Sequence, residues 1–590
     1  MQSAAAVLDV LRERGGKGLP CDELYRQMFN KDLYLAAYGN VYSNKGAMTP
    51  GAGGGTADGM SEAEIDRVIG LMRSERYRFV PVRRVYIPKK NGKLRPLGIP
   101  TWADKLVGEV VRLLLEAYYE PLFSARSHGF RKGRGCHTAL REVRDVWSGT
   151  VWFIEGDISD CFGSLDHEVM LSVLAERIRD NRFLRLIRNM LKAGYLEEWQ
   201  YRDTLSGVPQ GGTVSPVLSN IYLHKLDEYV ERELIPRHTR GQARARKPEY
   251  SRLNTRRVNA KRKGDRALAR DLQKRMHAMS PAEPADPGYR RLRYIRYADD
   301  HLLGLAGPKA EAEQVKADLA RFLRETLKLE LNQDKTLVTH ARSQRARFLG
   351  YDITVQHSST KRTGGRRSAN GLVALRVPPD VIKAKCAPCR QRGKPQKRAA
   401  LQNLDDHDIV RIYGAEYRGI VNYYLLAQDA FRLGTLQWNA LTSMLKTLAA
   451  RHRSTVTKMA ARYQAVTETS DGPRRCFEAR KAREGRKDLV ARFGGIPLKQ
   501  NRRAVITDLP PGPARLPRKE LVRRLRTRAC ELCERGATVT VHQVARLTDL
   551  GNGPGQPAWA ALMARMRRKT LVVCAECHDH IHATPVTQTA

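Results

Sequence analysis

At 590 residues the chain is too long for a single hydrophobic core, so several domains are expected. A hydrophobic content of 42% and a mean hydropathy of −0.51 exclude a disordered chain, and no apolar run is long enough to cross a bilayer as a helix. Lys and Arg total 105 against 62 Asp and Glu, a formal charge of +43, and a field of that sign requires a polyanionic partner, nucleic acid first.

Residues 1–82 read as an N-terminal extension leading into the next domain. Their first forty residues are mixed and helical, residues 51–59 are a Gly-rich flexible loop, and no secretory signal is expected at residues 1–11, so the default is a cytoplasmic protein. Residues 83–360 mix short apolar runs (151–154, 221–226, 294–295, 302–305) with helical stretches, the pattern of an α+β domain with a partly antiparallel sheet. Inside it, residues 237–293 form a polar insertion dense in Arg and Lys that closes on Pro281, Pro284 and Pro287. So few acids balance it that a phosphate-facing surface is the favoured reading over a merely solvated helical pair. Residues 361–464 turn helical: Ile409, Tyr413, Tyr417, Ile420 and Tyr424 recur at steps of three and four, and Leu441, Leu445 and Leu448 repeat the pattern. A basic stretch and a proline-rich linker (509–517) fill residues 465–517. Residues 518–590 are expected to be a separate, metal-organised module.

Two features carry chemistry. Tyr297-Ala298-Asp299-Asp300 lies between apolar runs, which makes a hairpin with two carboxylates at its tip. Adjacent acids there repel unless a cation is bound. Asp157 ends another apolar run, and three converging carboxylates can hold two Mg²⁺, one activating a primer 3′-hydroxyl and one carrying a triphosphate. Near the C-terminus, Cys530-x-x-Cys533 and Cys574-x-x-Cys577 are two halves of a tetrahedral four-thiolate Zn²⁺ site, whereas Cys386-x-x-Cys389 has no second pair and reads as incidental. His578 and His582, four apart, share a helical face and can share a metal.

With these motifs in order, the chain resembles the reverse transcriptases encoded by group II introns. The resemblance is carried by Arg83 to Lys90, Gly92 to Pro100, Ser127 to Arg131, Gly156-Asp157-Ile158, Phe162, Asp166-His167 and Gly207 to Gly212. It continues through Ser215-Pro216, Asn220-Ile221-Tyr222, the Asp299–Asp300 hairpin, Leu331-Asn332, Lys335-Thr336 and Phe348 to Tyr351. It implies a multidomain α+β fold: a right-hand polymerase with fingers and palm, a helical thumb that is also the maturase domain, and a small zinc-stapled ββα-metal nuclease of the HNH type. Asp157, Asp299 and Asp300 are implied as the Mg²⁺ ligands, with Lys89 and Arg95 gripping the incoming triphosphate, Phe162 excluding a 2′-hydroxyl and Gln210 touching the nucleotide. Of the thumb cations, Arg411, Arg418, Lys446, Arg451 and Arg453 are expected to be exposed and to face RNA, and residues 465–517 are implied as a DNA-binding segment and linker.

In the C-terminal module the resemblance implies one catalytic metal at His542, His578 and His582 and a histidine that activates water. Many relatives carry two adjacent histidines where this chain has His542-Gln543, and glutamine cannot act as a base. Either His542 is the base or the nuclease is weakened; a zinc-stapled DNA-binding knob is the plainer alternative. The expected function is that of a multifunctional protein: RNA-directed DNA polymerase, maturase for intron splicing, and endonuclease nicking target DNA for primed reverse transcription. Its partners would be intron RNA, double-stranded target DNA and deoxynucleoside triphosphates, with no membrane, and with a monomer and a homodimer both open. Two other readings stand beside it, a splicing factor whose C-terminal module only binds DNA and a reverse transcriptase serving defence or diversification.

Overall fold

The computed structural model describes residues 2–44, 46–88, 92, 94–197, 200–202, 206–207, 212–283, 286–358, 362–363, 366–367, 369–469, 471–483, 486–507, 520–550 and 556–584. The linker at 509–517, Lys89 and Gln210 lie outside them.

The middle of the molecule is a five-stranded sheet in the order Val338–His340, Trp152–Gly156, Asp300–Ala306, Arg291–Tyr297, Ser127–His128. Helices including Cys136–Val146 and Lys309–Leu327 pack on it, and they bury Phe153, Ile154, Leu292, Tyr294, Ile295, Leu302, Leu303 and Leu305 of its central strands. The apolar run at 221–226, ambiguous by itself, is part of a helix, Ser215–Tyr229. A second sheet pairs Leu94–Ile99 with Val82–Pro88 and extends through Tyr195–Glu197 and Gln200–Arg202. The first forty residues are helical as expected (Ala4–Gly16, Lys31–Val41), and they share one core with the helix Trp102–Tyr119.

The basic insertion is a helical hairpin, Pro248–Arg262 and Arg266–Ala278, with a small core of Leu253, Ala260, Ala269, Leu272 and Met276. Among the described residues, none of the hairpin's Arg or Lys side chains forms an ion pair within the chain.

The helices Asp406–Tyr423 and Gly434–Arg451 bury the predicted stripes: Ile409, Tyr413, Tyr417, Leu445 and Leu448 are all in one core. Two details differ from expectation. Residues 464–494, read as a basic segment beyond the helices, form an antiparallel sheet of Gln464–Thr469, Gly472–Arg483 and Arg486–Gly494. It packs so closely on the helix that a Cβ at Gly414 would fall 2.1 Å from the Arg492 carbonyl oxygen. Lys446, expected to be exposed, is half-buried and donates to the Pro395 carbonyl at 2.8 Å.

The C-terminal residues have a small core of their own, including Trp559, Ala560, Met563 and Leu571, and are docked on the N-terminal part of the chain. Leu521, Leu525, Val541 and Val572 belong to the same core as the N-terminal helices, and Val539–Gln543 pairs with Met60–Ser61 (Met60 opposite Val541). The Gly-rich stretch leading to that strand is irregular, as expected, but its end is held: Gly59 N donates to the Val541 carbonyl at 2.9 Å, and Ala57 is fully buried. Among the described residues no helix is long and apolar enough to cross a membrane.

Candidate polymerase and nuclease sites

The strand Trp152–Gly156 runs antiparallel to Asp300–Ala306 with Gly156 opposite His301, so Asp157 emerges beside the hairpin tip. The tip is tight: Tyr297 pairs with Asp300, and Ala298 between them takes φ +53°, a left-handed conformation that costs a non-glycine residue energy. Three neighbours over-determine it. Ala298 N donates to the His128 carbonyl at 3.2 Å, and Gly129 approaches so closely that a Cβ there would sit 2.8 Å from Ala298 N. From below, Arg296 Nη1 donates to the Ala298 carbonyl at 2.8 Å.

Arg296 is fully buried and is neutralised by the equally buried Asp227, with Nη2 to Oδ2 at 2.6 Å and Nε to Oδ1 at 2.8 Å. Asn220 Oδ1 and Ser127 Oγ take its remaining N–H groups. The motif residues Ser127, Gly129 and Asn220 are therefore the mounting of the acidic hairpin.

The three acids share one electrostatic environment. Burial, then Asp299 and Asp157, push the Asp300 carboxyl up to about 7, and Asp299 is raised by burial and by Asp157. Asp157 is held by Lys335, whose Nζ lies 2.6 Å from Oδ2, and by Asn332, whose backbone N donates to the Asp157 carbonyl at 2.8 Å. The Lys335 side chain is 65% exposed, so it can leave Asp157 when a cation arrives. Half-buried Asp299 and Asp300, both raised by burial and by neighbouring acids, thus stand beside Asp157, an arrangement that a bound cation would stabilise.

Phe162 is half-buried in the short helix Cys161–Ser164, edge-on to Phe130 at 6.5 Å between ring centroids. Gly207, at φ +90°, lies where a Cβ would meet the Phe162 and Gly163 carbonyl oxygens at 2.8 Å, so its backbone is close against that short helix. Arg95 is exposed on Leu94–Ile99, opposite Ile87.

In the C-terminal module Val539–Gln543 and Thr570–Cys574 form an antiparallel pair followed by the helix Ala575–Ala583. The four thiols of Cys530, Cys533, Cys574 and Cys577 lie within 4.8 Å of one another, and Cys533 Sγ is 3.8 Å from Cys574 Sγ. Tetrahedral zinc with bonds of about 2.3 Å separates its sulfurs by about 3.8 Å. Burial alone would raise the Cys530 thiol, but N–H groups of Cys533, Cys574 and Leu532 bring it down to about 6, the direction a thiolate ligand needs. Cys386 and Cys389 are simply buried, and no such cluster includes them among the described residues.

His542 on the strand meets His578 and His582 on the helix, with ring centroids 5.7, 5.4 and 4.6 Å apart. His542 is buried against Trp559, while His582 is 54% exposed, so the cluster opens to solvent on one side. A fourth residue joins them that no motif indicated: Asp58. Its Oδ1 is 3.1 Å from His542 Nδ1 and 3.5 Å from His578 Nε2, and its Oδ2 is 2.9 Å from His582 Nε2. Gln543 takes no part in the cluster; its Nε2 donates to the Tyr42 carbonyl at 2.8 Å and its backbone N to Asp58 Oδ1 at 2.6 Å.

Comparison with known proteins agrees with this layout. Residues 87–353 match the family "Reverse transcriptase (RNA-dependent DNA polymerase)", residues 380–498 match "Type II intron maturase", and residues 530–578 match "AI2M/AI1M-like, HNH endonuclease". The chain is 38% identical over 579 residues to the group II intron-encoded protein LtrA of Lactococcus lactis subsp. cremoris, covering 95% of each. It is 32% identical to an uncharacterized 91 kDa protein in a cob intron of Schizosaccharomyces pombe, covering 96% of this chain and 70% of that one. It is 30% identical to a putative COX1/OXI3 intron 1 protein of Saccharomyces cerevisiae, covering 94% and 68%. The chain therefore belongs to the group II intron-encoded proteins and combines reverse transcriptase, maturase and HNH endonuclease domains in one polypeptide.

Proposed function

We propose that Asp157, Asp299 and Asp300 hold the polymerase's divalent cations; the observation carrying this is that strand pairing brings all three to one end of one sheet, where burial and the neighbouring acids raise the Asp299 and Asp300 carboxyls. Two Mg²⁺ bound there would supply hydroxyl activation and charge neutralisation on the triphosphate. The chain's own work is positional. The Arg296–Asp227 pair fixes the tip, Lys335 keeps Asp157 in place until the cations displace it, and Phe162 forms the floor that a 2′-hydroxyl would strike. Lys89, Arg95 and Gln210 grip the triphosphate and the nucleotide. The unpaired cations of the helical hairpin, with Arg411, Arg418, Arg451 and Arg453, bind the intron RNA.

The four cysteines take one structural Zn²⁺. His542, His578 and His582 would hold one divalent cation, which would supply an activated water for cleavage of a DNA phosphodiester. A nick in the target's second strand leaves the 3′-hydroxyl that the polymerase extends, using the intron RNA as template. The domains follow as N-terminal extension and start of the fingers (1–82), fingers and palm (83–360), thumb and maturase (361–464), DNA-binding segment and linker (465–517), and nuclease (518–590). The ribonucleoprotein would work in the cytoplasm on chromosomal DNA.

Asp299→Ala is expected to abolish complementary-DNA synthesis on an RNA template, to keep intron RNA binding within a few-fold, and still to lower the Mg²⁺ needed for splicing. Full synthesis by that variant would overturn the site assignment. Splicing of the intron with an unchanged Mg²⁺ requirement would overturn the maturase role for this chain.

A further inference from the structure

Asp58 reaches the nuclease histidines from the opposite end of the sequence, and its placement is determined from both sides. Gly59 N and Thr540 Oγ1 tie the strand Met60–Ser61 to Val539–Gln543, and Gln543 N is bonded to the Asp58 carboxylate itself. Behind it, Lys105 Nζ donates to the Thr49 carbonyl at 2.7 Å and Arg83 Nη2 to the Pro50 carbonyl at 2.9 Å, anchoring the segment to the polymerase half.

The three oxygen–nitrogen separations run from 2.9 to 3.5 Å. Bonds of about 2.1 Å from one metal to nitrogen or oxygen place neighbouring ligand atoms about 3.0 Å apart at right angles and about 3.4 Å apart at the tetrahedral angle. A plain hydrogen-bonded cluster fits less well, because both ring nitrogens of His542 and Nε2 of His578 are buried and make no hydrogen bond. Buried ring nitrogens that converge on one carboxylate without hydrogen-bonding it are arranged as ligands of a shared cation are. All four ligand atoms lie within 4.8 Å of one another.

We infer that Asp58 is a fourth ligand of the nuclease's divalent cation, so that this centre is assembled from the polymerase's N-terminal segment and the C-terminal module together. The inference rests on the reading of His542, His578 and His582 as metal ligands. It makes the nuclease complete only while the module is docked on residues 58–61, a built-in link between the cleaving and copying halves.

The test uses full-length, zinc-loaded protein titrated with Co²⁺ and followed by visible absorption. Histidine-ligated Co²⁺ of low coordination number absorbs far more strongly than the six-coordinate, all-oxygen complex the polymerase acids would form. One such Co²⁺ is expected per chain. Asp58→Asn keeps the shape and an acceptor for Gln543 N; it should weaken Co²⁺ binding at least about tenfold and lower Mn²⁺-dependent nicking with it. Asp58→Cys should bring in a sulfur-to-cobalt charge-transfer band that wild type lacks. If Asp58→Asn binds Co²⁺ as tightly as wild type or tighter, or if Asp58→Cys gives no such band, Asp58 is no ligand, while loss of binding in His582→Ala would still uphold the histidine site. A wild-type protein with no strong Co²⁺ band, or a band indifferent to His582→Ala, would overturn the histidine reading as well.

Discussion

The acidic hairpin stores repulsion that a metal should release, and Asp300 measures it. Its carboxyl titrates at 3.8 when unperturbed and at about 7 in the fold, because burial and the charges of Asp299 and Asp157 disfavour its ionised form. The folded state thus binds this proton more tightly than the unfolded chain. Stability from it is fully present below about pH 4 and is lost as the pH rises to about 7. A difference of roughly three pH units is worth about 4 kcal/mol at most, and Asn pays part of the same burial, so a net 2–3 kcal/mol is the working figure, about. In metal-free buffer at about pH 8, Asp300→Asn should therefore unfold some 5–10 °C above wild type, on the rough scale of 2–4 °C per kcal/mol for a domain of this size. The gap should close near pH 4. Added Mg²⁺ should raise wild type more than the variant. Because Asp300 is expected to be the least critical ligand of the three, the variant should also keep more synthesis than changes at Asp157 or Asp299. Differential scanning fluorimetry in EDTA and in Mg²⁺ across this pH range is the assay. Identical melting curves for wild type and variant in EDTA at both ends of the range would refute the account.

Asp227→Ala should cost about 3–5 kcal/mol, because it leaves Arg296 charged and buried without a partner, and complementary-DNA synthesis should fall with the loosened Ala298 carbonyl; chemical denaturation and primer extension check both. Cys530→Ser should release about one zinc per chain by metal analysis and unfold the C-terminal module, since metal binding supplies much of such a module's folding energy. Replacing the exposed Arg252, Arg256 and Lys263 with Ala should weaken RNA binding for many sequences alike and flatten its salt dependence by about one unit of slope per lost phosphate contact, leaving the melting temperature unchanged.

What was legible in the sequence was whatever local pattern dictates. Two acids between alternating apolar runs can only be a hairpin tip, and Tyr413 and Tyr417 at helical spacing can only face a core. The cysteine pairs announced their cluster because thiolate geometry limits the spacing. What was not legible depends on distant partners. Arg296 looks like any strand arginine until Asp227 is seen beside it. The strands between residues 464 and 494 carry Arg and Lys so densely that composition overrides their alternation, and only packing on Gly414 reveals a sheet. Asp58 sits in a Gly-rich stretch that reads as a flexible loop. Its ligand role, and even its order, come from residues almost the whole chain away.

That distance also changes the meaning of Gln543. As a sequence feature it stands where many relatives carry a histidine, which leaves either His542 as the base or a weakened nuclease. Successive residues of a strand point to opposite faces, so His542 entering the histidine cluster turns Gln543 away from it, toward the N-terminal segment. There its Nε2 donates to the Tyr42 carbonyl, while its backbone N–H, which any residue but proline would supply, serves Asp58. The departure at Gln543 is thus tied to docking, and docking brings Asp58 to the histidines. A substitution that looks like damage to the catalytic strand is accounted for as part of the joint on which the metal centre is assembled, with His542 left as the strand's contribution to the chemistry.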